Sequence, residues 1–176
     1  MDKSKKIIKL DIKDSLLIKA KLFKDHRGEF IKVFSSDFFK KKKYPKIKQI
    51  NISLNHKTGT IRGMHLQSSP FSEDKYVSCI EGKIQDVIID LRKKSKTYKK
   101  WISVDLSAKN GYILKVPKGC AHGFQSLLDN SKVIYYHTNT YNKKYEKTIN
   151  PLSQFYKIKW KKKITKISKK DIGAND

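Results

Sequence analysis

Short runs of apolar residues, many alternating with polar ones, follow one another along almost the whole chain. They are rich in Ile, Val, Tyr and Phe and are separated by Gly, Asn, Asp or Pro, a pattern typical of β-strands. The predicted strands cover residues 7–12, 16–21, 29–34, 47–54, 59–67, 74–81, 83–91, 100–106, 112–116, 122–127 and 132–140. About ten short strands with turn signals between them predict an all-β sandwich or jelly-roll barrel.

A few other features complete this outline. Glu81 and Gly82 lie between two of the runs and predict a tight hairpin turn. Short helices are expected at residues 35–43 and near residues 149–155. The chain has 176 residues, so we expect one domain spanning residues 1–176.

Alternation within two of the runs predicts which side chains share a cavity. In residues 59–67, period-2 alternation separates Ile61, Gly63, His65 and Gln67 from Thr60, Arg62, Met64 and Leu66. A bulge near Gly63 would bring Arg62 and His65 into the same cavity. In residues 132–140, Val133, Tyr135 and His137 share one face, and Ile134, Tyr136 and Thr138 share the other.

The charged residues are mostly lysine. The chain has 41 Lys+Arg and 16 Asp+Glu, a formal charge of +25, and its arginines are Arg27, Arg62 and Arg92. This charge attracts polyanions and anionic small molecules alike. Since arginine, the better reader of phosphates and bases, is so scarce, a nucleic-acid-binding β protein is disfavoured.

The three arginines have different sequence contexts. Arg27 and Arg62 lie in short polar clusters, which favours sites that need a planar, bidentate guanidinium. Arg92 follows an apolar strand. Tying the strand end to a neighbouring carboxylate explains Arg92 equally well.

The cysteines and the apolar runs bear on the cellular setting. Cys79 and Cys120 lie far apart in apolar stretches. This spacing fits free buried thiols in a reducing cytosol better than a disulfide framework or a metal site. No signal peptide is visible, and no apolar run approaches the roughly 20 residues of a membrane span. We therefore expect a cytoplasmic protein with no membrane partner.

An ordered set of motifs runs along nearly the whole chain and points to one family. The motifs are Asp25-x-Arg27-Gly28-x-Phe30, Gln49-x-Asn51-x-Ser53, Arg62-Gly63-Met64-His65-x-Gln67, Lys75, Gly82-x-Ile84-x-Asp86, Asp90-Leu91-Arg92-x-x-Ser95-x-Thr97, Pro117-x-Gly119-x-Ala121-His122-Gly123-Phe124, Tyr135, Tyr141, Glu146 and Ser168-x-Lys170-Asp171. Taken together, they resemble the dTDP-4-dehydrorhamnose 3,5-epimerases, which are cupin-like jelly-roll isomerases. The resemblance implies a nucleotide-sugar substrate, no cofactor and a homodimer whose subunits exchange strands, so that the partner contributes to the nucleotide site.

The family's chemistry assigns roles to four residues. The substrate ketone at C4 acidifies the protons at C3 and C5, so the reaction needs a base, a proton donor on the opposite face and a cation near the enolate oxygen. By resemblance, His65 is the base and Asp171 orients it, and histidine's titration near neutrality suits this role. Lys75 would stabilise the enolate, and Tyr135 would return the proton. Tyr136 is the runner-up for Tyr135.

The resemblance also implies a set of substrate-binding residues. They are Arg27, Gln49, Asn51, Arg62, His122, Glu146 and Lys170, which would hold the nucleotide and the sugar. An arginine fork matches the oxygens of a diphosphate. The implied reaction converts dTDP-4-dehydro-6-deoxy-glucose to dTDP-4-dehydrorhamnose, in dTDP-rhamnose and cell-surface polysaccharide biosynthesis.

Departures from the family pattern keep other functions open. Lys32 stands where the family has a glutamate that helps hold the nucleotide base, which favours a relative acting at only C3 or only C5 of another 4-keto sugar nucleotide. A metal cupin would need two histidines two residues apart plus a carboxylate. Gln67 occupies the place where His65 would need its partner, so no metal site is expected.

Overall fold

The computed structural model describes residues 6–20, 22–33 and 46–174. Within them, the strands are β1 Lys6–Lys9, β2 Leu16–Lys19, β3 Leu22–Asp25, β4 Gly28–Ile31, β5 Gln49–Asn55, β6 Ile61–Gln67, β7 Lys75–Glu81, β8 Lys83–Asp90, β9 Trp101–Ser107, β10 Tyr112–Val116, β11 Cys120–Ser126, β12 Ser131–His137 and β13 Glu146–Thr148. A 3-10 helix at Lys143–Tyr145 and helix α1 at Lys169–Ile172 complete the described elements.

Two antiparallel sheets form the body of the fold. The order in the six-stranded sheet is β1-β2-β10-β7-β12-β5, and in the five-stranded sheet it is β13-β6-β11-β8-β9. Side chains from both sheets, including Val77, Val133, Ile88 and Phe124, form one buried apolar cluster. This arrangement confirms the predicted all-β, cupin-like jelly roll, since apolar residues from two sheets meet between them.

The chain passes from one sheet to the other at Gly82, where the sequence predicted a hairpin. The prediction was wrong because β7 belongs to the six-stranded sheet and β8 to the five-stranded one. Gly82 has a φ of +74°, and a Cβ there would lie 2.5 Å from Ser131 Oγ. Glycine is therefore needed for both the backbone conformation and the close approach.

A separate hairpin, formed by β3 and β4, was only partly predicted. The sequence indicated a strand over residues 29–34, whereas β4 runs from Gly28 to Ile31 and pairs with β3, which was missed. The phenyl rings of Phe23 and Phe30 lie on this hairpin and are 46% and 64% exposed. Strands β3 and β4 pair with no strand of the two large sheets, and most of their residues are exposed, so the burial pattern that marks a core strand is weak here.

The helix predicted near residues 149–155 is also wrong. This segment consists of turns, in which Asn150 Oδ1 accepts a hydrogen bond from Leu152 N at 2.9 Å. Ser153 Oγ likewise accepts from Phe155 N at 3.1 Å. Such side-chain bonds give the backbone an alternative to helical pairing. The other predicted helix, residues 35–43, lies outside the described residues.

The structure also bears on the cysteines and on membrane helices. Cys79 and Cys120 are buried and free, as predicted. Burial raises the pKa of the Cys79 thiol to about 11 and that of Cys120 to about 12, so both are protonated near neutral pH. Among the described helices, none has the length and apolar character to cross a membrane.

Candidate active site

A cavity of about 660 Å³ opens between the two sheets. It is lined by ten of the eleven predicted site residues: Gln49, Asn51, Arg62, His65, Lys75, His122, Tyr135, Glu146, Lys170 and Asp171. Strands β5, β7 and β12 supply one wall, and β6, β11 and β13 supply the other. Polar side chains that point inward on strands of opposite sheets thus converge in one space.

A bulge at Gly63 shapes one wall of this cavity. The register between β6 and β11 shifts between His122 and Phe124. Gly63 has a φ of +123°, and a Cβ on it would lie 2.5 Å from the Gly123 Cα. The predicted bulge is confirmed: it interrupts the alternation of β6 and lets Arg62 and His65 both line the cavity.

His65 forms a pair with a carboxylate from the far end of the chain. His65 Nε2 lies 2.7 Å from Asp171 Oδ1. Asp171 belongs to α1, where its backbone N–H donates to the Ser168 side chain at 3.0 Å, and its Oδ2 accepts from Gly63 N at 3.4 Å. Both oxygens of the Asp171 carboxylate are therefore held, one by His65 and the other by the Gly63 backbone.

The ionisation of Asp171 decides which ring nitrogen of His65 can accept a proton. Burial favours the neutral acid, but the hydrogen bond and positive field of His65, with the Ser168 contact, outweigh it and lower the pKa of Asp171. An ionised Asp171 accepts the His65 Nε2–H, so the lone pair of His65 lies on Nδ1. The His65 side chain is 32% exposed, against 5% for Asp171. His65 can thus meet a ligand while Asp171 stays shielded.

Lys75 lies on β7 and reaches across the cavity. Its Nζ donates to the His65 backbone carbonyl at 3.3 Å, and only 9% of the residue is exposed. Burial lowers the pKa of Lys75, and the nearby carboxylates of Glu73 and Glu146 oppose this effect. The cavity therefore contains a shielded lysine amine whose charge depends on its neighbours.

Tyr135 faces His65 from the opposite sheet. It lies on β12, and its hydroxyl shares a hydrogen bond of 3.1 Å with Ser53 Oγ. Burial raises the pKa of Tyr135 well above its usual value, so the phenol keeps its proton. The neighbouring Tyr136 is 5% exposed and packs in an apolar cluster with Tyr76. The predicted faces of this strand are confirmed.

His122 makes a second, more deeply buried histidine–carboxylate pair. His122 Nε2 lies 2.8 Å from Asp86 Oδ1, and the side chains are 5% and 0% exposed. Burial raises the pKa of Asp86 despite the contact with His122. The other carboxylate oxygen, Oδ2, has no hydrogen-bond partner among the described residues. The His122 ring also packs edge-on against Tyr135, with centroids 6.2 Å apart.

Predicted binding residues form two groups at the cavity rim. Arg62 is exposed, and its Nε donates to Asn55 Oδ1 at 2.8 Å. Glu146 Oε2 accepts from the Tyr141 hydroxyl at 2.9 Å and pairs with Lys170 Nζ at 2.5 Å. Glu146 therefore belongs to a polar cluster that lines the cavity.

Arg27 is the predicted site residue that lies elsewhere. It occupies the turn of the β3–β4 hairpin, where its Nη2 lies 2.6 Å from Asp25 Oδ2 and its side chain is 78% exposed. Arg92 is also outside the cavity and binds Asp90 through Nε at 2.8 Å. This contact confirms the prediction that Arg92 ties a strand end to a neighbouring carboxylate.

The cavity-lining residues that were not predicted as site residues include an ionisable pair, His137 and Glu73. His137 Nδ1 lies 2.9 Å from Glu73 Oε2, and both residues line the cavity. The available signal was the alternation of β12, which placed His137 on the same face as Tyr135.

A grouping of three or more His, Cys, Asp or Glu side chains suited to a metal ion is not found in the described part of the chain.

A family model and a curated relative give the same family description. Residues 9–176 match the family described as dTDP-4-dehydrorhamnose 3,5-epimerase. The enzyme of that name from Shigella flexneri is 36% identical over 169 residues, which cover 96% of this chain and 93% of the relative.

Solved structures agree with the sequence comparison. A dTDP-4-dehydrorhamnose 3,5-epimerase from Bacillus anthracis, with TDP and PPi bound, superposes with a TM-score of 0.92 at 33% identity, covering 97% of this chain and 98% of that one. A dTDP-6-deoxy-D-glucose-3,5-epimerase from Legionella pneumophila, in complex with dTDP-4-keto-L-rhamnose, gives a TM-score of 0.91 at 31% identity, covering 97% and 92%.

Proposed function

Because this chain belongs to the dTDP-4-dehydrorhamnose 3,5-epimerase family, we propose that it converts dTDP-4-dehydro-6-deoxy-glucose to dTDP-4-dehydrorhamnose. The observation that carries the proposal is the placement of His65 on β6 and Tyr135 on β12, in opposite walls of one cavity. A base and an acid on opposite sides of a sugar ring can remove a proton from one face and replace it on the other. The product would supply dTDP-rhamnose for cell-surface polysaccharides.

The first step is proton abstraction from C3 or C5. His65 Nδ1 takes the proton, and Asp171, held at 2.7 Å from Nε2, stabilises the imidazolium that forms. The C–H electron pair forms a double bond between that carbon and C4, and the π electrons of the C4 carbonyl move to its oxygen, which gives an enolate. The ammonium of Lys75 stabilises that negative charge in a shielded site, where electrostatic interactions are stronger than in water.

The second step is proton return from the opposite face. Tyr135 donates its phenolic proton to the carbon, and the enolate collapses to the ketone with inverted configuration. The raised pKa of Tyr135 keeps the donor protonated before the step. Ser53, at 3.1 Å, can donate to the phenolate that remains. His65 then releases its proton to solvent and Tyr135 takes up another, which resets both groups, and the same two steps at the second carbon complete the reaction.

The cavity rim suits the nucleotide part of the substrate. Arg62 projects an exposed guanidinium there, which matches a diphosphate. Gln49 and Asn51 supply amides that line the same cavity from the other end of β5, whose last residue Asn55 contacts Arg62. The formal charge of +25 favours the approach of an anionic sugar nucleotide.

We further propose that the protein is a homodimer and that Arg27 acts in the partner's site. Edge strand β5 exposes an apolar row of Ile50, Ile52 and Leu54, between 51% and 57% exposed. A second copy would cover this row and the exposed phenyl rings of the β3–β4 hairpin. Light scattering should give a mass twice that of one chain. A monomer that is fully active would contradict the dimer and the role of Arg27.

The proposed cytoplasmic location is supported by the two free, buried thiols. Fractionation of the cells that make the protein would test it, and recovery outside the cytoplasm would contradict it.

The direct test of function is incubation with dTDP-4-dehydro-6-deoxy-glucose in deuterated water, followed by NMR. We expect deuterium at both C3 and C5, and formation of dTDP-4-dehydrorhamnose. Exchange and inversion at only one carbon would instead identify a C3-only or C5-only epimerase. If neither carbon exchanges, the result would contradict epimerisation of this substrate.

A further inference from the structure

An ionisable cluster beside Lys75 takes no part in the two proton transfers. Glu73 precedes β7 and is 8% exposed. Its Oε2 lies 2.9 Å from His137 Nδ1, and its Oε1 lies 3.7 Å from Lys75 Nζ. Glu73 therefore places a buried carboxylate between two basic groups that line the cavity.

The hydrogen bonds of His137 fix the orientation of this carboxylate. His137 Nε2 lies 3.3 Å from Asn51 Nδ2, and an amide nitrogen can only donate. His137 therefore accepts at Nε2 and donates its Nδ1 proton to Glu73. The chain of bonds continues to Gln49, whose Nε2 donates to Asn51 Oδ1 at 3.1 Å. One neutral tautomer of His137 satisfies both of its neighbours.

The charge of Lys75 depends on this carboxylate. Burial lowers the pKa of Lys75, and Glu73 is the strongest of the groups that oppose this effect. The other ionisable groups that line the cavity with Lys75 are Arg62, His65, His122, Tyr135, His137, Tyr141, Glu146, Lys166, Lys170 and Asp171. The buried Asp86 also acts on Lys75 and opposes the effect of burial. Removing the charge of Glu73 would leave burial less opposed, so the ammonium would lose its proton at lower pH.

We propose that Glu73, held in place by His137, is a positioning residue that keeps Lys75 protonated and directed into the cavity. An amine stabilises a developing enolate only while it carries its positive charge. The catalytic consequence rests on the proposed epimerase function, whereas the effect on the charge of Lys75 does not. Glu73 itself need not touch the substrate.

The first measurement is independent of substrate. In protein labelled with ¹³C-lysine, NMR follows the Lys75 Cε signal, which is identified by its loss in Lys75→Met. Glu73→Gln retains an acceptor for His137 but removes the charge, and we expect the titration midpoint of Lys75 to fall by about one pH unit. Glu81→Gln is the control, because Glu81 ends the same strand but is exposed and pairs with Lys132.

Glu73→Asp provides a second variant should Glu73→Gln not fold. It keeps the negative charge one methylene further back, so we expect a midpoint between those of the wild type and Glu73→Gln. If either folded variant titrates like the Glu81→Gln control, the inference is overturned.

The second measurement links the charge to turnover. The alkaline limb of kcat should move to lower pH in Glu73→Gln by the same amount as the NMR midpoint, with KM changed less than kcat. In a Lys75→Met background, Glu73→Gln should have little further effect on kcat. A full additional loss there would show that Glu73 acts independently of Lys75 and would also overturn the inference. Lack of turnover by the wild type would contradict the proposed function. The NMR titration would still decide whether Glu73 keeps Lys75 protonated.

Discussion

The two histidine–aspartate pairs of the cavity have the same chemistry but different surroundings. In the pair from β6 and α1, the His65 side chain is 32% exposed, and Asp171 receives hydrogen bonds on both oxygens. In the pair from β11 and β8, His122 is 5% exposed and Asp86 is fully buried. Burial favours the neutral acid in both carboxyls, but its contacts lower the pKa of Asp171 overall, whereas burial prevails at Asp86 and raises its pKa.

We propose that this difference gives the two pairs different roles. A proton-transfer base must reach the substrate and have a partner that stays ionised when the imidazolium forms. The His65–Asp171 pair meets both conditions. His122 has little freedom and contacts the Tyr135 ring, so the pair it forms with Asp86 is better suited to holding the substrate and the tyrosine in place.

The largest effect that distinguishes the pairs is expected from removing each carboxylate charge. Asp171→Asn should slow deuterium exchange at C3 and C5 by about 10- to 100-fold, since a charge-assisted hydrogen bond to the imidazolium is weakened. Asp86→Asn is the matched variant and should slow exchange by less than about tenfold. Both rates are measured by NMR in deuterated water. Equal losses would mean that the two pairs do not differ in role.

A smaller effect is expected at the cavity rim. Arg62→Lys preserves the charge but loses the bidentate geometry that fits a diphosphate. We expect substrate binding to weaken by about 1–3 kcal/mol, the range for a charge-assisted contact, with kcat changed much less. Steady-state kinetics and calorimetry with dTDP measure this, and Arg92→Lys, outside the cavity, is the control. If KM is unchanged, Arg62 has a structural role through Asn55.

No effect is expected from chelators. Lys75 would supply the positive charge near the enolate that a metal ion provides in other enzymes. Turnover should therefore be the same before and after treatment with EDTA. Activity that is lost on chelation and restored only by a divalent ion would contradict the role of Lys75.

The sequence predicted the parts of the site that depend on local pattern. Alternation along residues 132–140 correctly put Tyr135 and Tyr136 on opposite faces, since successive side chains of a strand face opposite ways. The choice of Tyr135 as the cavity residue came from the family resemblance. The bulge at Gly63 was also predicted, because a glycine in a strand permits a close approach of two backbones. The alternation and the strand glycine can each be recognised within a segment of about ten residues.

Other parts depend on contacts between distant segments and could not be predicted from local pattern. Asp171 looks like part of a solvated tail, yet α1 packs it against a residue 106 positions earlier. Gly82 resembles a hairpin glycine, and only the pairing of β7 and β8 with other strands makes it a crossing between sheets. The Glu73–His137 pair joins a loop residue to a strand 64 positions later.

The central claim is that His65 and Tyr135 act on opposite faces of the sugar. The most direct measurement compares deuterium exchange with inversion at C3 and C5 in His65→Ala and Tyr135→Phe. We expect His65→Ala to lose both by about 10²–10⁴-fold. Tyr135→Phe retains the base and Lys75, so exchange should continue with little inversion. Exchange at the wild-type rate in His65→Ala, or normal inversion in Tyr135→Phe, would contradict the account.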